Sequence, residues 1–389
     1  MSRLLLVRYG ELGLKGKNKI KFINQLTNNI KRALIDLPLR EIYSTWGRIW
    51  VETKGDETQV IERLQRVFGI YSLSPVLETS REIAEIAATA KKVLEAALPT
   101  GGSFKIETKR ADKSYPMTSI EISQKTAAVL FDLIEPDKYT AEMHNPQQVI
   151  NVEVRQEGTF VYGQIIPGAK GLPVGCSSKA LLLLSGGIDS PVAGWMTMKR
   201  GVTLEALYFH SFPFTGEQSK QKVEDLCAVL AKWQGAPIKL HIVHFTEIQK
   251  AIRQHTREEY TITLMRRMMF RLAESIAKKG RSLALVTGES IGQVASQTLE
   301  SMLTINDVID LPVLRPLVAL DKEEIVKIAQ QIETFPISAR PFEDCCTIFL
   351  PAYPKIRPRL AEAEELEKRL DIPALLQEAL TKTTIVTIG

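Results

Sequence analysis

The spacing of hydrophobic residues near the start of the chain predicts a small α+β domain. Apolar runs predict strands over residues 3–9 and 49–52, and apolar residues at helical spacing predict helices over residues 23–34 and 59–68. The order of these elements is β-α-β-α. We place this first domain at residues 1–59.

The next stretch predicts a second domain at residues 60–165. Two helices and three strands with alternating polar and apolar positions are predicted there, over residues 83–98, 121–133, 104–110, 149–155 and 159–166, respectively. A stretch rich in Gly, Pro and Ser follows, and it predicts a linker at residues 166–178.

From residue 179 onward the pattern changes to short apolar runs without alternation. Such runs are typical of strands that are buried on both faces of a parallel sheet. They occur at residues 180–184, 204–209, 238–243 and 283–286. Helix-length stretches separate them, so the pattern predicts an α/β domain with a doubly wound parallel sheet, which we place at residues 179–389.

The sequence SGGIDS at residues 185–190, here called the SGGIDS loop, directly follows the first of these buried strands. Gly186 and Gly187 allow close approach of the backbone, and the N–H groups at the start of the next helix favour an anion. The loop is neither a Walker A sequence nor GxGxxG. An ordinary strand–helix turn is the alternative, but the complete motif after a buried strand favours a phosphate site.

Composition excludes several classes of protein. Charged residues make up 24% and aromatic residues 7% of the 389 residues, which excludes a disordered chain. No apolar run exceeds six residues and the start of the chain has no secretory core, so we predict a cytoplasmic protein without a membrane span. The four cysteines form no CxxC or Cys-His pattern, so no metal site is predicted from them.

The net charge is +5, and basic residues are concentrated at the start of the chain. Residues 1–32 contain eight basic residues and one acidic residue. This basic cluster is either a solvated face or a contact surface for phosphates. Its candidate phosphate-binding residues are Lys15, Lys17 and Lys19.

The SGGIDS loop is the pattern of the PP-loop ATP pyrophosphatase superfamily, whose members split ATP between the α and β phosphates and adenylate a substrate. Six further stretches resemble the tRNA 4-thiouridine synthetase (tRNA uridine 4-sulfurtransferase) family. They are RYGELGLKGKN near the start, KRADKSYPMTS at 109–119, GLPVG at 171–175, LVTGESIGQVASQTLESM at 285–302, RPLVALDKEEI at 315–325 and FEDCCTIF at 342–349. The resemblance implies an N-terminal ferredoxin-like α+β domain, a THUMP α/β domain that binds RNA, and a PP-loop (Rossmann-like) domain with a doubly wound parallel sheet.

The same resemblance implies a reaction and its partners. ATP adenylates uridine 8 of tRNA, and sulfur from a persulfide replaces O4 to give 4-thiouridine. The first two domains are expected to bind the tRNA acceptor region, with Lys109 and Arg110 adding to the basic cluster.

ATP and Mg²⁺ are the expected cofactors, a cysteine desulfurase is the expected persulfide donor, and the expected assembly is a homodimer. Sulfur transfer to the small carrier protein of thiamine thiazole synthesis is a further activity attributed to the family. Some members carry a C-terminal rhodanese domain, which we do not expect here.

The resemblance also assigns residues to roles. The expected catalytic residues are Asp189, Lys322 and Cys345. Asp189 is expected to organise Mg²⁺ or the ribose and phosphate, and Cys345 is expected to be the sulfur-handling thiol. The expected ATP-binding residues are Leu183, Leu184, Ser185, Gly186, Gly187, Ser190, Tyr208, Phe209, Arg266, Gly288 and Gln297. Alternatives stay open, because Asp189 also suits a helix N-cap, Leu183 and Leu184 suit a core, and Arg266 suits a solvated helix face.

Lys322 has support that is independent of the resemblance. The sequence LDKEEI predicts a helix start with Asp321 as N-cap and Glu324 at the capping-box position. A lysine in the first turn opposes the helix dipole at a cost of ~0.3–1 kcal/mol, which is tolerable where the lysine meets an anion. A phosphate group is the candidate anion, and a solvated surface lysine is the alternative.

The adjacent thiols of Cys345 and Cys346 lie in a predicted loop, where catalytic groups are common. Cys345 either carries the persulfide itself or resolves one with another thiol, and two structural cysteines are the alternative. Two other functions also stay open. One is a PP-loop adenylating enzyme that acts on a different tRNA base, and the other is a non-catalytic tRNA-binding protein. The intact SGGIDS loop argues against the second.

Overall fold

The computed structural model of the chain describes residues 3–14, 16–294, 296–342, 351 and 353–389. The chain divides into two compact units. The first comprises residues 1–16, 30–65 and 69–170, and the second comprises residues 17–29, 66–68 and 171–389. Lys15, Cys345 and Cys346 lie outside the described residues.

The first unit is built on one mixed sheet. Its strands are β1 (Arg3–Tyr9), β2 (Leu39–Thr45), β3 (Arg48–Thr53), β4 (Ile70–Thr79), β5 (Gly102–Arg110), β6 (Tyr139–Ala141), β7 (Gln148–Val154), β8 (Thr159–Tyr162) and β9 (Ile166–Pro167). The helices of this part of the chain are α1 (Lys19–Ala33), whose residues fall in both units, α2 (Glu57–Gln65), α3 (Ile83–Ala97) and α4 (Ser119–Leu133). The strand order is β2-β3-β1-β4-β8-β7-β5-β6, with β9 paired to β4.

Strand β4 joins the two halves of this sheet. It pairs with β1 through residues 70–76 and with β8 through residues 77–79. The boundary that we predicted between residues 59 and 60 therefore falls inside α2, before the strand that completes the first half. The Pro75 within β4 interrupts the apolar pattern, and the sequence analysis did not predict this strand.

The second unit contains the predicted doubly wound parallel sheet. Its strands are β10 (Lys179–Leu183), β11 (Thr203–His210), β12 (Ile238–His244), β13 (Leu285–Val286), β14 (Val313–Leu314) and β15 (Thr384–Ile388). Its helices among the described residues are α5 (Asp189–Met198), α6 (Glu217–Gln234), α7 (Thr246–His255), α8 (Thr261–Lys279), α9 (Leu299–Asn306), α10 (Lys322–Gln331), α11 (Phe335–Ser338), α12 (Leu360–Glu367) and α13 (Ile372–Thr381). The strand order is β14-β13-β10-β11-β12-β15. All pairs are parallel except β12 with β15, an antiparallel edge that the sequence analysis did not predict.

Helices cover both faces of this sheet, which explains the apolar runs without alternation. Leu181 packs in a core with Met268 of α8 on one face. The neighbouring Leu182 lies on the other face, so close to Gly194 of α5 that a Cβ atom at this glycine would come within 2.7 Å of the leucine side chain. Consecutive residues of β10 are therefore both buried, as expected of a central parallel strand.

The position of β10 places its carboxyl end at the switch point of the sheet. The chain runs outward from β10 to β11 and β12, and then returns to β13 on the other side of β10. Ligands of doubly wound sheets bind at such a reversal of strand order, outside the carboxyl ends of the strands. The SGGIDS loop lies at this point, between β10 and α5. Among the described residues, no helix has the length and apolar composition needed to cross a bilayer.

Candidate active site

The SGGIDS loop is closed by its own serine side chains. The backbone N–H of Ser185 donates to the hydroxyl oxygen of Ser190, with an N–O distance of 2.9 Å. The backbone N–H of Gly187 donates to the hydroxyl of Ser185 at 3.3 Å. Since Ser190 is buried in the first turn of α5, these bonds fix the turn of the loop over the start of the helix. The loop thus closes over the start of α5, where the sequence predicts an anion site.

Asp189 is the first residue of α5, and its carboxylate bridges two other segments. Its Oδ1 atom lies 2.6 Å from Nζ of Lys322, and its Oδ2 atom accepts a hydrogen bond from Nε2 of Gln293 at 2.9 Å. The N-cap position is occupied by Ile188, without a side-chain cap. The alternative of Asp189 as a helix N-cap is therefore wrong, because the carboxylate is used for contacts across the crevice.

The capping box predicted at the start of α10 is confirmed. Asp321 accepts a hydrogen bond from the backbone N–H of Glu324 at 2.9 Å, and Glu324 accepts one from the N–H of Asp321 at 3.0 Å. Lys322 therefore stands in the first helical turn and meets the Asp189 carboxylate. The Lys322 side chain is 46% exposed, and ion pairs this exposed contribute little to stability. The pair suits ligand binding better than a purely structural role.

Gly288 follows β13 and packs against the start of α5. A Cβ atom at this position would lie 2.7 Å from the backbone nitrogen of Ser190 and 2.8 Å from the carbonyl carbon of Asp189. Both distances are shorter than side chains tolerate. Gly288, which is also an expected ATP-binding residue, therefore gives room to the backbone at the start of α5.

We expect Gly288→Ala to displace the SGGIDS loop from its position. The added methyl group meets backbone rather than a flexible side chain, and overpacking of this kind costs about 1–3 kcal/mol. Thermal unfolding measures the melting temperature and ATP titration measures the affinity for ATP, and both quantities are expected to fall. Gly13→Ala is the control, because a Cβ atom there meets nothing within 4 Å. Unchanged ATP binding by Gly288→Ala would show that the close packing is dispensable.

The residue after this glycine, Glu289, is the centre of a buried ionic network. Its carboxylate lies 2.6 Å from Nη2 of Arg266 and 2.6 Å from Nε of Arg315. Burial disfavours the charged carboxylate, but the two guanidinium groups outweigh burial, and the pKa of Glu289 is lowered. Arg266, expected to bind ATP, is thus paired with Glu289 and positions the segment that follows Gly288.

The segment 288–294 is further held by Gln297, another residue expected to bind ATP. The side-chain oxygen of Gln297 accepts a hydrogen bond from the backbone N–H of Ser290 at 3.3 Å, and the hydroxyl of Ser290 donates to the carbonyl of Leu320 at 2.8 Å. This segment contains Gln293, whose side chain donates to Asp189. Gln293 was missed by the sequence analysis, because nothing local distinguishes it from the other polar residues of the segment.

The expected nucleotide-binding residues at the strand ends have side chains in the core. Leu184, Tyr208 and Phe209 are buried, and the ring of Phe209 stacks edge-on against Phe245 at a centroid distance of 5.1 Å. Leu183 is partly buried and packs against the same core as Phe209. The side chains of Leu183 and Leu184 therefore match the alternative of plain core.

The segment that precedes Cys345 contacts the SGGIDS loop. The hydroxyl of Ser338 donates to the carbonyl of Gly187 at 3.2 Å. Nζ of the buried Lys222 on α6 donates to the carbonyls of Arg340 at 2.9 Å and Phe342 at 3.3 Å. Residues 338–342 are therefore tied to both the SGGIDS loop and α6, three residues before Cys345, which lies outside the described residues.

The candidate RNA-binding residues lie in both units. Lys17 in the second unit and Lys109 in the first are exposed, while Lys19 is half-buried. The guanidinium of Arg110 donates to the carbonyls of Tyr115 at 2.9 Å and Met117 at 3.3 Å, so it holds the loop before α4.

Three family models match the chain. The model described as thiamine biosynthesis protein (ThiI) matches residues 175–372, the ThiI ferredoxin-like domain matches residues 4–74, and the THUMP domain matches residues 80–163. These matches and the sheets described above confirm the predicted fold class.

Curated relatives match over almost their whole length. A probable tRNA sulfurtransferase of Moorella thermoacetica is 52% identical over 388 residues, which is 100% of this chain and 98% of the relative. A probable tRNA sulfurtransferase of Brevibacillus brevis is 48% identical over 386 residues, which is 99% of this chain and 96% of the relative.

Two solved structures have a similar fold. A crystal structure of a 4-thiouridine synthetase–RNA complex with bound ATP superposes with a TM-score of 0.91 at 38% identity and covers 100% of both chains. The structure of PH1313 from Pyrococcus horikoshii has a TM-score of 0.67 at 24% identity, covers 85% of this chain and 99% of its own, and shows the fold alone. Together the full-length relatives and the match over residues 175–372 show that the chain belongs to the tRNA sulfurtransferase (ThiI, 4-thiouridine synthetase) family of enzymes.

Proposed function

We propose that the enzyme converts uridine 8 of tRNA to 4-thiouridine in two steps. Uridine O4 attacks the α-phosphorus of ATP and pyrophosphate leaves, so that O4 becomes part of an adenylate. The terminal sulfur of a persulfide then attacks C4, and AMP leaves with O4. A second thiol attacks the disulfide that results, which releases 4-thiouridine and leaves the two thiol sulfurs joined. An external thiol reduces this disulfide before the next cycle.

One observation carries this proposal most directly. Asp189 of the closed SGGIDS loop pairs with Lys322, Oδ1 to Nζ 2.6 Å, at the switch point of the sheet. This arrangement puts backbone N–H groups, an ammonium and a carboxylate around one crevice. The first two bind phosphate oxygens, and the carboxylate is a ligand for the cation that accompanies a nucleotide.

Mg²⁺ fits this crevice in the mode that it commonly adopts with nucleotides. Mg²⁺ is usually bound by one or two carboxylates together with substrate phosphates. Asp189 provides one carboxylate, and the described residues contain no separate cluster of three or more metal-ligating side chains. The ion would neutralise charge on the phosphates. Lys322 would bind the remaining phosphate oxygens together with the SGGIDS loop (Ser185, Gly186, Gly187 and Ser190), where the N–H groups of Ser185 and Gly187 would exchange their hydrogen bonds to the loop's own serine hydroxyls for bonds to phosphate.

Pyrophosphate release tests the first step. Protein, ATP and Mg²⁺ are mixed with a tRNA transcript that has uridine at position 8, or with the same transcript carrying cytidine there. We expect release with the first transcript alone. Equal release with both transcripts would contradict uridine 8 as the target, and release without RNA would contradict a tRNA substrate.

The basic cluster of residues 1–32 and the THUMP domain are proposed to bind the acceptor region through phosphate contacts. We expect the triple variant Lys15→Ala, Lys17→Ala, Lys19→Ala to bind tRNA more weakly and with a smaller dependence on salt. Each lost phosphate contact lowers the slope of log affinity against log salt by about 0.7–0.9. Affinities measured at several salt concentrations give this slope.

The control removes the same charge elsewhere. Lys327 on α10, Lys368 directly after α12 and Lys382 directly after α13 are exposed lysines, and their replacement by alanine should leave the slope unchanged. Equal slopes for wild type and the first triple variant would show that the basic cluster is only a solvated face.

The partners follow from the same reaction. We propose a cysteine desulfurase as the persulfide donor, because the second step consumes a sulfane sulfur. A homodimer, a cytoplasmic location and sulfur delivery to the small carrier protein of thiamine thiazole synthesis are proposed from the family alone.

A further inference from the structure

Two phenylalanines project from the loop at the carboxyl end of β11. This loop, residues 211–216 (SFPFTG), is called the aromatic loop here. Phe212 is 57% and Phe214 is 48% exposed. The neighbouring Ser211 and Thr215 are buried, so the loop turns its polar residues inward and its aromatic residues outward.

Hydrogen bonds hold the aromatic loop with its polar residues buried and its aromatic residues exposed. The backbone N–H of Ser211 donates to the hydroxyl of Thr215 at 3.0 Å, and the N–H of Thr215 donates to the carbonyl of Ser211 at 3.0 Å. The hydroxyl of Thr246 donates to the carbonyl of Phe212 at 2.7 Å. The exposed rings therefore stand on an ordered loop, and such preorganisation lowers the entropic cost of binding a ligand.

A buried histidine beneath the aromatic loop has an unsatisfied ring nitrogen. His210 is 4% exposed, its ring centroid lies 6.3 Å from that of Phe212, and its Nε2 atom has no hydrogen-bond partner among the described residues. Burial lowers the pKa of His210, so the imidazole is neutral at pH 7. An unpaired buried polar group requires an explanation, and an incomplete ligand site is one.

The aromatic loop lies at the same edge of the sheet as the SGGIDS loop. The backbone N–H of Leu184, just before the SGGIDS loop, donates to the carbonyl of Leu207 in β11 at 2.8 Å. Helix α6 starts directly after the aromatic loop, and its Lys222 holds the carbonyls of Arg340 and Phe342. The aromatic loop therefore follows the strand next to the SGGIDS loop and precedes the helix that binds residues 340–342.

We propose that Phe212 and Phe214 form a stacking platform for the uracil base that the enzyme modifies. This inference rests on the proposed function. An enzyme that acts on a base within folded nucleic acid must take that base out of its stack. Aromatic side chains then replace the lost stacking, because the flat π-face that all bases share can stack on an aromatic ring. The cost of unstacking is thus offset at the edge of the sheet that carries the SGGIDS loop.

The test compares Phe212→Ala and Phe214→Ala with Phe212→Tyr and Phe214→Tyr. We expect each alanine variant to lower kcat/KM for tRNA-dependent pyrophosphate release by roughly 10-fold or more, the scale of one base stacked on one aromatic side chain. The tyrosine variants keep a stacking face and should retain most of the activity. ATP affinity should be unchanged in all four. Leu303→Ala is the control, because Leu303 is 71% exposed on α9 of the same unit.

Three results would overturn the proposal. Alanine variants with wild-type kcat/KM would show that the rings do not bind the base. A parallel loss of ATP affinity would place adenine on the platform instead. A change of oligomeric state in the alanine variants, absent in Leu303→Ala, would make the loop a subunit interface. If wild type itself releases no pyrophosphate with tRNA, the proposed function fails rather than this inference alone.

Discussion

Replacement of Cys345 by alanine is expected to abolish sulfur transfer to tRNA and to leave tRNA-dependent release of pyrophosphate intact. Removal of a covalent nucleophile costs roughly 10³-fold or more in rate. In the proposed reaction the first step needs only ATP, Mg²⁺ and the base, so it should proceed without the thiol. Formation of 4-thiouridine and release of pyrophosphate are measured in the same reaction, and tRNA affinity is measured separately.

The other cysteines provide controls for this variant. Cys227 is buried on α6, and burial raises the pKa of its thiol to about 12, so it is protonated and unreactive at neutral pH. Cys227→Ala should therefore transfer sulfur at the wild-type rate. Cys346→Ala is expected to be milder than Cys345→Ala, because a disulfide between adjacent residues is strained. Survival of both sulfide-driven and desulfurase-driven thiolation in Cys345→Ala would make the assignment wrong.

The second large effect concerns the pair at the SGGIDS loop. We expect Asp189→Asn and Lys322→Met each to lower tRNA-dependent pyrophosphate release by about 10²–10³-fold, the scale of losing one charge-stabilising group in an active site. Asparagine keeps the shape of aspartate but removes the charge that suits Mg²⁺. Methionine keeps the length of lysine but removes the ammonium that would bind phosphate. Steady-state pyrophosphate release, with ATP and Mg²⁺ varied, measures both.

A control on the same helix separates chemistry from folding. Lys327 is exposed on α10, five residues after Lys322, and Lys327→Met should be as active as wild type. Since the Asp189–Lys322 pair is partly exposed, neither active-site variant should unfold much earlier than wild type. Wild-type pyrophosphate release by Lys322→Met would place this lysine among ordinary surface residues.

Local sequence patterns predicted those parts of the site that depend on neighbouring residues. The closed turn at residues 185–190 and the capping box of Asp321 and Glu324 each arise within six residues, so their geometry follows from local backbone rules. The parallel sheet was also predictable, because strands buried on both faces require apolar runs without alternation.

Contacts between distant segments could not be predicted in this way. Gln293 reaches Asp189 across 104 residues of sequence, and Lys222 reaches the carbonyl of Arg340 across 118. Neither follows from a local pattern, because each depends on which loops meet at the carboxyl edge of the sheet. The pairing of Arg266 with Glu289 is of the same kind. An arginine on a helix is equally consistent with solvent, a nucleotide or a buried carboxylate.

The most direct test of the central claim is mass spectrometry of nucleosides from unmodified tRNA treated with the protein, ATP, Mg²⁺ and a sulfur source. We predict 4-thiouridine at position 8, one per tRNA, with equivalent AMP and pyrophosphate, and none when ATP is omitted. A thiolated base other than uridine 8, or no thiolated nucleoside although ATP is consumed in the presence of tRNA, would contradict the proposed reaction.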